Sequence, residues 1–391
     1  MPGTLERVSA RGYARREARP LRVMQITHDL SVGGLQRVVV TICKTIRRDL
    51  FECSVLCLRR SGPLQDELAK QGIEVICLAR GSEKPDRLAF LKVARILRRQ
   101  RIDVIHTHNT EPLIDGTMGA ILAGVKTIVH TDHARRFPDK HRYMVAENIL
   151  SNFIYRMIGV SEDTSHNLRY FEKISPRRLM TIPNGIDPAP YVERVDHAKI
   201  RQTLGVPRWA PLIGTVARLS GEKAIDKAIE AFAIVSHTIP EARFIIVGEG
   251  PCESELRTKT RELGLQEKVI FAGRHSKVAP ILAIMDLFVL SSTREGLPMA
   301  VLEAMAAGCP VVAFAVGGVP SAVEHARSGY LVAPGDIKGM AGQIEMLLQH
   351  PVLARGFGEY GRRLFARRFS AEPMTRAYER LYMRNAVMVD S

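Results

Sequence analysis

The sequence predicts an α/β protein made of two doubly wound, Rossmann-like domains in series that face a central cleft, and three observations predict it. Short β-branched runs alternate with longer helical patterns from Leu21 onward, and the runs are continuously apolar rather than alternating. The rhythm breaks once, in a Pro- and charge-rich stretch (182–211), and then restarts. Continuous apolar strands between helices imply parallel sheets covered on both faces. A chain of 391 residues also exceeds one core of ordinary size.

In chain order, a basic extension (1–20) precedes the strand runs "LRVMQIT" (21–27), "CSVLCL" (53–58), "IEVICL" (73–78), "DVIHTH" (103–108), "KTIVHT" (126–131) and "RMIGV" (156–160). These define a first domain over 21–188, followed by a linker over 189–210. The runs "LIGTVA" (212–217), "RFIIVG" (243–248), "KVIFAG" (268–273), "MDLFVLS" (285–291) and "CPVVAF" (309–314) define a second domain over 211–368. The remainder reads as helix, and residues 369–391, with a basic, Tyr-containing face, are expected to pack back on the first domain. Ligands of parallel sheets bind outside the carboxyl ends of the strands, so the cleft between the two sheets is the expected site.

Composition narrows the function. No run of about 18 apolar residues occurs and the N-terminus lacks an apolar core, so neither a transmembrane helix nor a secretory signal is expected, which points to the cytoplasm. Six cysteines without C-x-x-C pairing read as reduced thiols rather than disulfides or a zinc site. The net charge of +15 favours an anionic partner. With 6% aromatic residues and no basic stripe interleaved with them, nucleic acid is not that partner.

The stretch "REGLPMAVLEAMAAGCPVVA" (294–313) places Pro298 at a helix start and Gly308 just past its end. Glu295 then lies in the loop at the helix mouth and Glu303 inside the helix. Eight positions on one helix would separate two carboxylates by about 12 Å along the axis and ~80° in azimuth, so they cannot act as one acid/base pair. Arg218 and Lys223 follow a strand in "GTVARLSGEKAID" (214–226), a bidentate fork and a point charge suited to a phosphate group. Gly33 and Gly34, after the first strand in "THDLSVGGLQRVV" (27–39), permit close backbone approach and can present N–H groups to a phosphate. The spacing is not G-x-G-x-x-G, and "VGEGPCE" (247–253) lacks the third glycine, which weighs against a nicotinamide dinucleotide. Histidines in "HTHN" (106–109) and "VHTDH" (129–133) end two strands at the ligand edge: His106, His108, His130 and His133, with Asn109 beside them.

"SSTREGLPMAVLEAMAAGCPVVA" resembles the E-x7-E signature of retaining glycosyltransferases of the GT-B superfamily, specifically family 4 of the glycosyltransferase classification, and the resemblance runs from Leu21 to about Tyr382. It implies a GT-B fold with an acceptor domain first and a nucleotide-sugar donor domain second. Carried onto this chain, it assigns donor-sugar hydroxyls to Glu295 and the ribose to Glu303. The diphosphate falls to Arg218 and Lys223, and further donor contacts to Gly33, Gly34, Gly296 and Leu297. His130, with His133 as second choice, is the histidine that reaches the donor sugar, while His108, Asn109 and His133 are acceptor-side candidates. The segments "IPNGID" (182–187) and "AVGGVPSAVEHARSGYLV" (315–332) also match. Three departures stand out: Gln36 where the family places Glu, Ala224 where it places Gly or Asn, and Ser321 where Glu is common.

The resemblance implies an enzyme that takes a UDP-, GDP- or ADP-sugar, needs no metal or other cofactor, and glycosylates a glycan, lipid-linked or small-molecule acceptor in polysaccharide or glycoconjugate biosynthesis. The alternatives are a non-catalytic nucleotide-sugar binding protein of the same fold and an oxidoreductase. The segments 87–101 and 133–143, basic with apolar or aromatic residues, suggest a peripheral contact with anionic lipid on the inner membrane face.

Overall fold

A computed structural model describes residues 19–78, 86, 88–133 and 137–389. Most of the expected basic extension (1–18) lies outside the described residues, as do Arg87 and the segment 134–136 within the two stretches proposed to meet lipid.

The first domain holds β1 (Leu21–Asp29), β2 (Phe51–Arg60), β3 (Glu74–Cys77), β4 (Val104–His108), β5 (Thr127–Asp132), β6 (Arg156–Gly159) and β7 (Leu179–Thr181). They form one parallel sheet in the order β3-β2-β1-β4-β5-β6-β7. Helices α1 (Gly34–Thr45), α2 (Leu64–Ala69), α3 (Ala89–Gln100), α4 (Thr110–Ala123), α5 (His141–Ser151) and α6 (Glu162–Phe171) connect and cover it. Every residue of β4 and β5 is buried, the pattern of central strands covered on both faces. The short strand β7 was not legible in the sequence: "LMT" is three residues long and only partly buried, too brief for a periodic signal.

The expected linker, 189–210, is not open chain. It contains α7 (Ala189–Val192) and α8 (His197–Thr203), and Tyr191, Ile200 and Leu204 pack on the core of the second domain.

The second domain repeats the scheme with β8 (Leu212–Val216), β9 (Arg243–Val247), β10 (Val269–Gly273), β11 (Leu287–Leu290), β12 (Val311–Phe314) and β13 (Gly329–Val332), in the order β10-β9-β8-β11-β12-β13. Its helices are α9 (Ile225–Thr238), α10 (Glu253–Glu262), α11 (Ala279–Leu282), α12 (Met299–Ala307), α13 (Val319–Ala322), α14 (Ile337–Gln349) and α15 (Pro351–Arg368). The final helix, α16 (Ala371–Val389), leaves this domain and buries Tyr378 and Tyr382 against the first.

The chain therefore crosses between domains twice, and the crossings lie side by side. The Ile186 N–H donates to the Phe369 carbonyl at 3.0 Å and the Ala371 N–H to the Ile186 carbonyl at 2.9 Å. Both sheets are parallel, so each contributes its strand-end loops, where the site residues lie.

Candidate active site

The loop after β8 carries Arg218, which is exposed, and ends in a 3-10 turn over Gly221–Lys223. Lys223 Nζ donates to Glu295 Oε1 at 2.7 Å, and the Ser292 hydroxyl donates to the same oxygen at 2.6 Å. Two further bonds clip the loops together: Ser291 Oγ donates to the Lys223 carbonyl at 3.1 Å, and the Thr293 N–H to the Glu222 carbonyl at 2.8 Å. Glu295 is thus a fixed carboxylate in the cleft wall, not a solvated surface acid.

Ala224, the departure from Gly or Asn, closes this turn at φ 44°, ψ 45°. The position demands the left-handed conformation, and alanine adopts it at a cost of about 1 kcal/mol. Leu297 is buried in the second-domain core, so its side chain is unavailable to a donor and only its backbone can serve. At Gly318 the domains meet: an added Cβ would lie 1.7 Å from the Gly296 carbonyl oxygen and 2.7 Å from Cβ of Ser161, the N-cap of α6. Ser321 follows on α13, partly exposed.

On the first domain, Gly33 is the N-cap of α1 and Gly34 its first residue. The helix start has no side-chain cap and no acid in its first turn, which leaves its N–H groups open to an anion. A Cβ on Gly34 would come within 3.0 Å of the Met299 side chain, so the starts of α1 and α12 face each other directly. One turn further along α12, Glu303 accepts a hydrogen bond from the Tyr191 hydroxyl and lies near Arg37 of α1. Burial pushes the Glu303 carboxyl up to about 7, against the opposing pull of Tyr191 and Arg37.

The four histidines divide by strand parity. His130 is fully buried on β5, its Nδ1 2.9 Å from the Thr107 hydroxyl. His106, next to Thr107 on β4, turns to the opposite face, the one that His108 shares, but lies two residues further from the strand end, its Nδ1 2.7 Å from the Tyr382 hydroxyl and its Nε2 2.8 Å from that of Thr131. A ligand-edge role for His106 is therefore corrected: it belongs to the seat of α16. His108 and His133 face one another, Nδ1 to Nε2 at 3.1 Å, and the second His108 nitrogen lies 2.8 Å from Gln25 Oε1. Burial lowers the rings of His106, His108 and His133, the last to about 3 and the other two well below their usual range.

A cavity of about 370 Å³ opens at the carboxyl ends of β1 and β4, walled by His28, Asp29, Gln36, His108, Asn109 and Glu111. Asn109 sits at φ 63°, ψ 176°, a region nearly reserved for glycine and worth about 1–3 kcal/mol of strain, while its Oδ1 accepts from the His133 N–H at 3.0 Å. Gln36 donates to Asp29 Oδ1 at 3.1 Å, which gives a physical reason for an amide there: a glutamate would oppose the Asp29 carboxylate. A larger cavity, about 550 Å³, lies behind the Lys223 turn between α9 and α10 and includes none of the predicted site residues. Among the described residues, Asp132, Glu147 and Glu172 form one buried trio whose carboxylate oxygens all lie within 4.8 Å. No second feature points to an ion there.

His28, Asp29, Glu111, Arg37, Ser292 and Tyr191 went unrecognised in the sequence. Asp29 stood in plain view, directly before the glycine pair, and Ser292 three residues before Glu295. Tyr191 carried no signal, because only the fold returns α7 to α12.

Two parallel α/β domains presenting strand-end loops to one cleft, with the open start of α1 against the start of α12 and a fixed carboxylate with its lysine in the loop before α12, define a glycosyltransferase of the GT-B class. The chain belongs to glycosyltransferase family 4: residues 32–190 match the family described as Glycosyltransferase Family 4, and residues 196–364 match Glycosyl transferases group 1. It is 28% identical over 300 residues to N-acetyl-alpha-D-glucosaminyl L-malate synthase of Bacillus anthracis, covering 74% of this chain and 77% of that one. It is 27% identical over 335 residues, 82% and 86% of the two chains, to UDP-Gal:alpha-D-GlcNAc-diphosphoundecaprenol alpha-1,3-galactosyltransferase of Escherichia coli. HepE of Anabaena, in complex with UDP and glucose, shares the fold with a TM-score of 0.82 at 22% identity over 92% of this chain and 98% of that one.

Proposed function

We propose that the protein is a retaining glycosyltransferase that moves a sugar from a nucleotide-sugar to a hydroxyl of a glycan, lipid-linked or small-molecule acceptor in polysaccharide or glycoconjugate biosynthesis. The observation that carries this reading is the Glu295 carboxylate, held by Lys223 and Ser292 in the loop before α12, whose start meets the open start of α1. UDP-sugars are the first donors to test, since HepE was solved with UDP and the Escherichia coli relative is named for a UDP-sugar.

In this mechanism Glu295 accepts donor-sugar hydroxyls and Glu303 the ribose hydroxyls; His130, to which the resemblance gives the sugar's edge, is fully buried on β5 and reaches a donor only if that wall opens. The acceptor oxygen bonds to the anomeric carbon on the face from which the diphosphate leaves. The carbon–oxygen bond to phosphate breaks and the leaving phosphate takes the acceptor proton. Arg218, Lys223 and the N–H groups of α1 stabilise the charge that develops on the diphosphate, so protein cations fill the role that a metal could otherwise take. Closure of the domains excludes water, a competing acceptor.

Replacing Glu295 by Ala is expected to lower transfer by about 100-fold while UDP still raises the melting temperature. Transfer at the wild-type rate would remove Glu295 from the mechanism. A wild-type protein that binds UDP-sugars but neither transfers nor hydrolyses them would favour the non-catalytic binder.

A peripheral membrane contact on the inner leaflet is a second element of the reading. Among the described residues no helix is long and apolar enough to cross a membrane. Helix α3 buries Ala89, Val93, Ala94 and Leu97 in the core, and it turns Leu91 and, at its N-cap, Leu88 outward beside Arg95, Arg98 and Arg99. A longer exposed apolar stripe lies on α5 and its end: Val145, Ile149 and Phe153, at spacing i, i+4, i+8, with Arg142 exposed at the same helix. Co-sedimentation with phosphatidylglycerol vesicles, absent with phosphatidylcholine and lost in Ile149→Asp, is the expected result; equal binding to both vesicles would remove the idea.

A further inference from the structure

The cavity at the ends of β1 and β4 has a charge arrangement that restricts what it can hold. Its centre is a chain of four groups: Asp29, His28, Glu111 and Arg59. His28 Nδ1 lies 3.2 Å from Asp29 Oδ2 and His28 Nε2 3.0 Å from Glu111 Oε2, while Arg59 pairs with Glu111 Oε1. The hydrogen bond to Glu111 raises the His28 pKa, more than burial lowers it, so the protonated ring is favoured. The same bond and the Arg59 pair hold Glu111 at about 2. Burial pushes the Asp29 carboxyl up, but the Ser31 hydroxyl and N–H and His28 together outweigh it, and the net direction is down. Both acids are therefore carboxylates at neutral pH, and a third, Asp139, stands on the wall.

The cations are already committed. Among the described residues lining this cavity, His28 is the one whose cationic form is favoured, and it is shared between two carboxylates. His108, the other ring on the wall, is kept neutral by burial. Lone pairs, in contrast, are left over. A carboxylate offers about four acceptor positions. Asp29 Oδ2 and both Glu111 oxygens each have one protein donor in place, which leaves room for a hydroxyl or ammonium on each.

Location ties the cavity to the reaction. Leu35 and Gln36, from the first turn of α1, form one wall, and the preceding Gly34 touches Met299 at the start of α12. The wall formed by α1 thus joins this cavity to the helix that follows the Glu295 loop. The strained Asn109 backbone, braced by His133, marks the same wall as a place where geometry is held against local preference.

We propose that this cavity is the acceptor subsite and that it selects an uncharged or amine-bearing polyol ring, whose hydroxyls or ammonium donate to Asp29 and Glu111, and rejects a carboxylate or phosphate at the same position. The inference rests on the glycosyltransferase reading for the word acceptor, and on the cavity alone for the charge preference. Asp29 acts here as a recognition group. A carboxylate that already accepts from Ser31, Gln36 and His28 is a weak base, consistent with the acceptor proton leaving on the diphosphate.

Saturation-transfer NMR titrations on the full chain with UDP present compare four probes that share one ring size: methyl α-D-glucoside, glucosamine, glucuronate and glucose 6-phosphate. Glucosamine is expected to bind most tightly, the glucoside next, and the two anions at least about fivefold more weakly. Glu111→Gln is expected to weaken glucosamine by about fivefold and to narrow its advantage over glucuronate, with UDP affinity unchanged. Asp139→Asn, which leaves the His28 chain intact, provides a milder change in the same direction should Glu111→Gln not fold. Equal or tighter binding of either anion, no detectable binding of the glucoside or glucosamine at tens of millimolar, or a probe order unchanged in both variants would overturn the proposal. UDP titration of the wild type separates the two readings: its failure removes the donor site, while the order of the four probes still decides the cavity.

Discussion

Ala224 closes the turn that delivers Lys223, and it does so in a left-handed conformation that a glycine would enter freely. Ala224→Gly is expected to stabilise the protein by about 1 kcal/mol, visible as a rise of ~2–4 °C in melting temperature. An unchanged or lower melting temperature would show that the alanine side chain, itself buried, repays its strain through packing. Glu303 makes a different prediction at the same scale. With its carboxyl near 7, it is largely protonated and a poor acceptor for ribose hydroxyls below that pH, and it is ionised above it. UDP-glucose has no group that titrates near neutrality, so its affinity is expected to rise by up to about tenfold between pH ~6 and ~8, and to lose that slope in Glu303→Gln. A pH-independent affinity in the wild type would detach Glu303 from the donor.

At the scale of elements, α16 is held by buried polar groups rather than by apolar surface alone. The Tyr382 hydroxyl meets His106 and Gln25, the Tyr378 hydroxyl meets Thr131, and Gln25 leads to His108 and then His133. These histidines are neutral in the fold because burial disfavours their charged form. Unfolded histidines take up protons near pH 6.5, whereas the folded rings take them up only at much lower pH, so below ~6.5 the unfolded chain binds more protons and stability falls. Thermal melts are expected to hold steady above that pH and to drop progressively from ~6.5 to ~5. Tyr382→Phe should cost about 1–3 kcal/mol at neutral pH by stripping a partner from His106. Flat melts across the acid range would mean that the network opens to solvent. Much of this level was legible in advance: β1–β6 and β8–β12 lie within a few residues of their apolar runs, and Pro298 and Gly308 bracket α12 as their chemistry requires. The short strand β7 and helices α7 and α8 were not, because segments of three to seven residues carry too few periods to be read.

Across the whole molecule, the chain passes between domains at Ile186 and again near Phe369, and hydrogen bonds join the two crossings. That arrangement brings Tyr191 to Glu303, Ser161 to Gly318 and Tyr382 to His106, contacts between residues far apart in sequence. Apolar periodicity and punctuation by glycine and proline determined, from the sequence alone, two parallel α/β domains, a cleft at their strand ends, and the loops that supply Arg218, Lys223, Glu295 and the glycine pair. Only the tertiary structure decided which way each side chain faces. On a strand that choice alternates with every residue, so His106 and His108 share the face that meets Gln25 and Tyr382 while Thr107 between them turns to His130. It also decided the charge state of Glu303 and the pairing of His28. Both depend on desolvation and on partners from other elements, which local sequence does not encode.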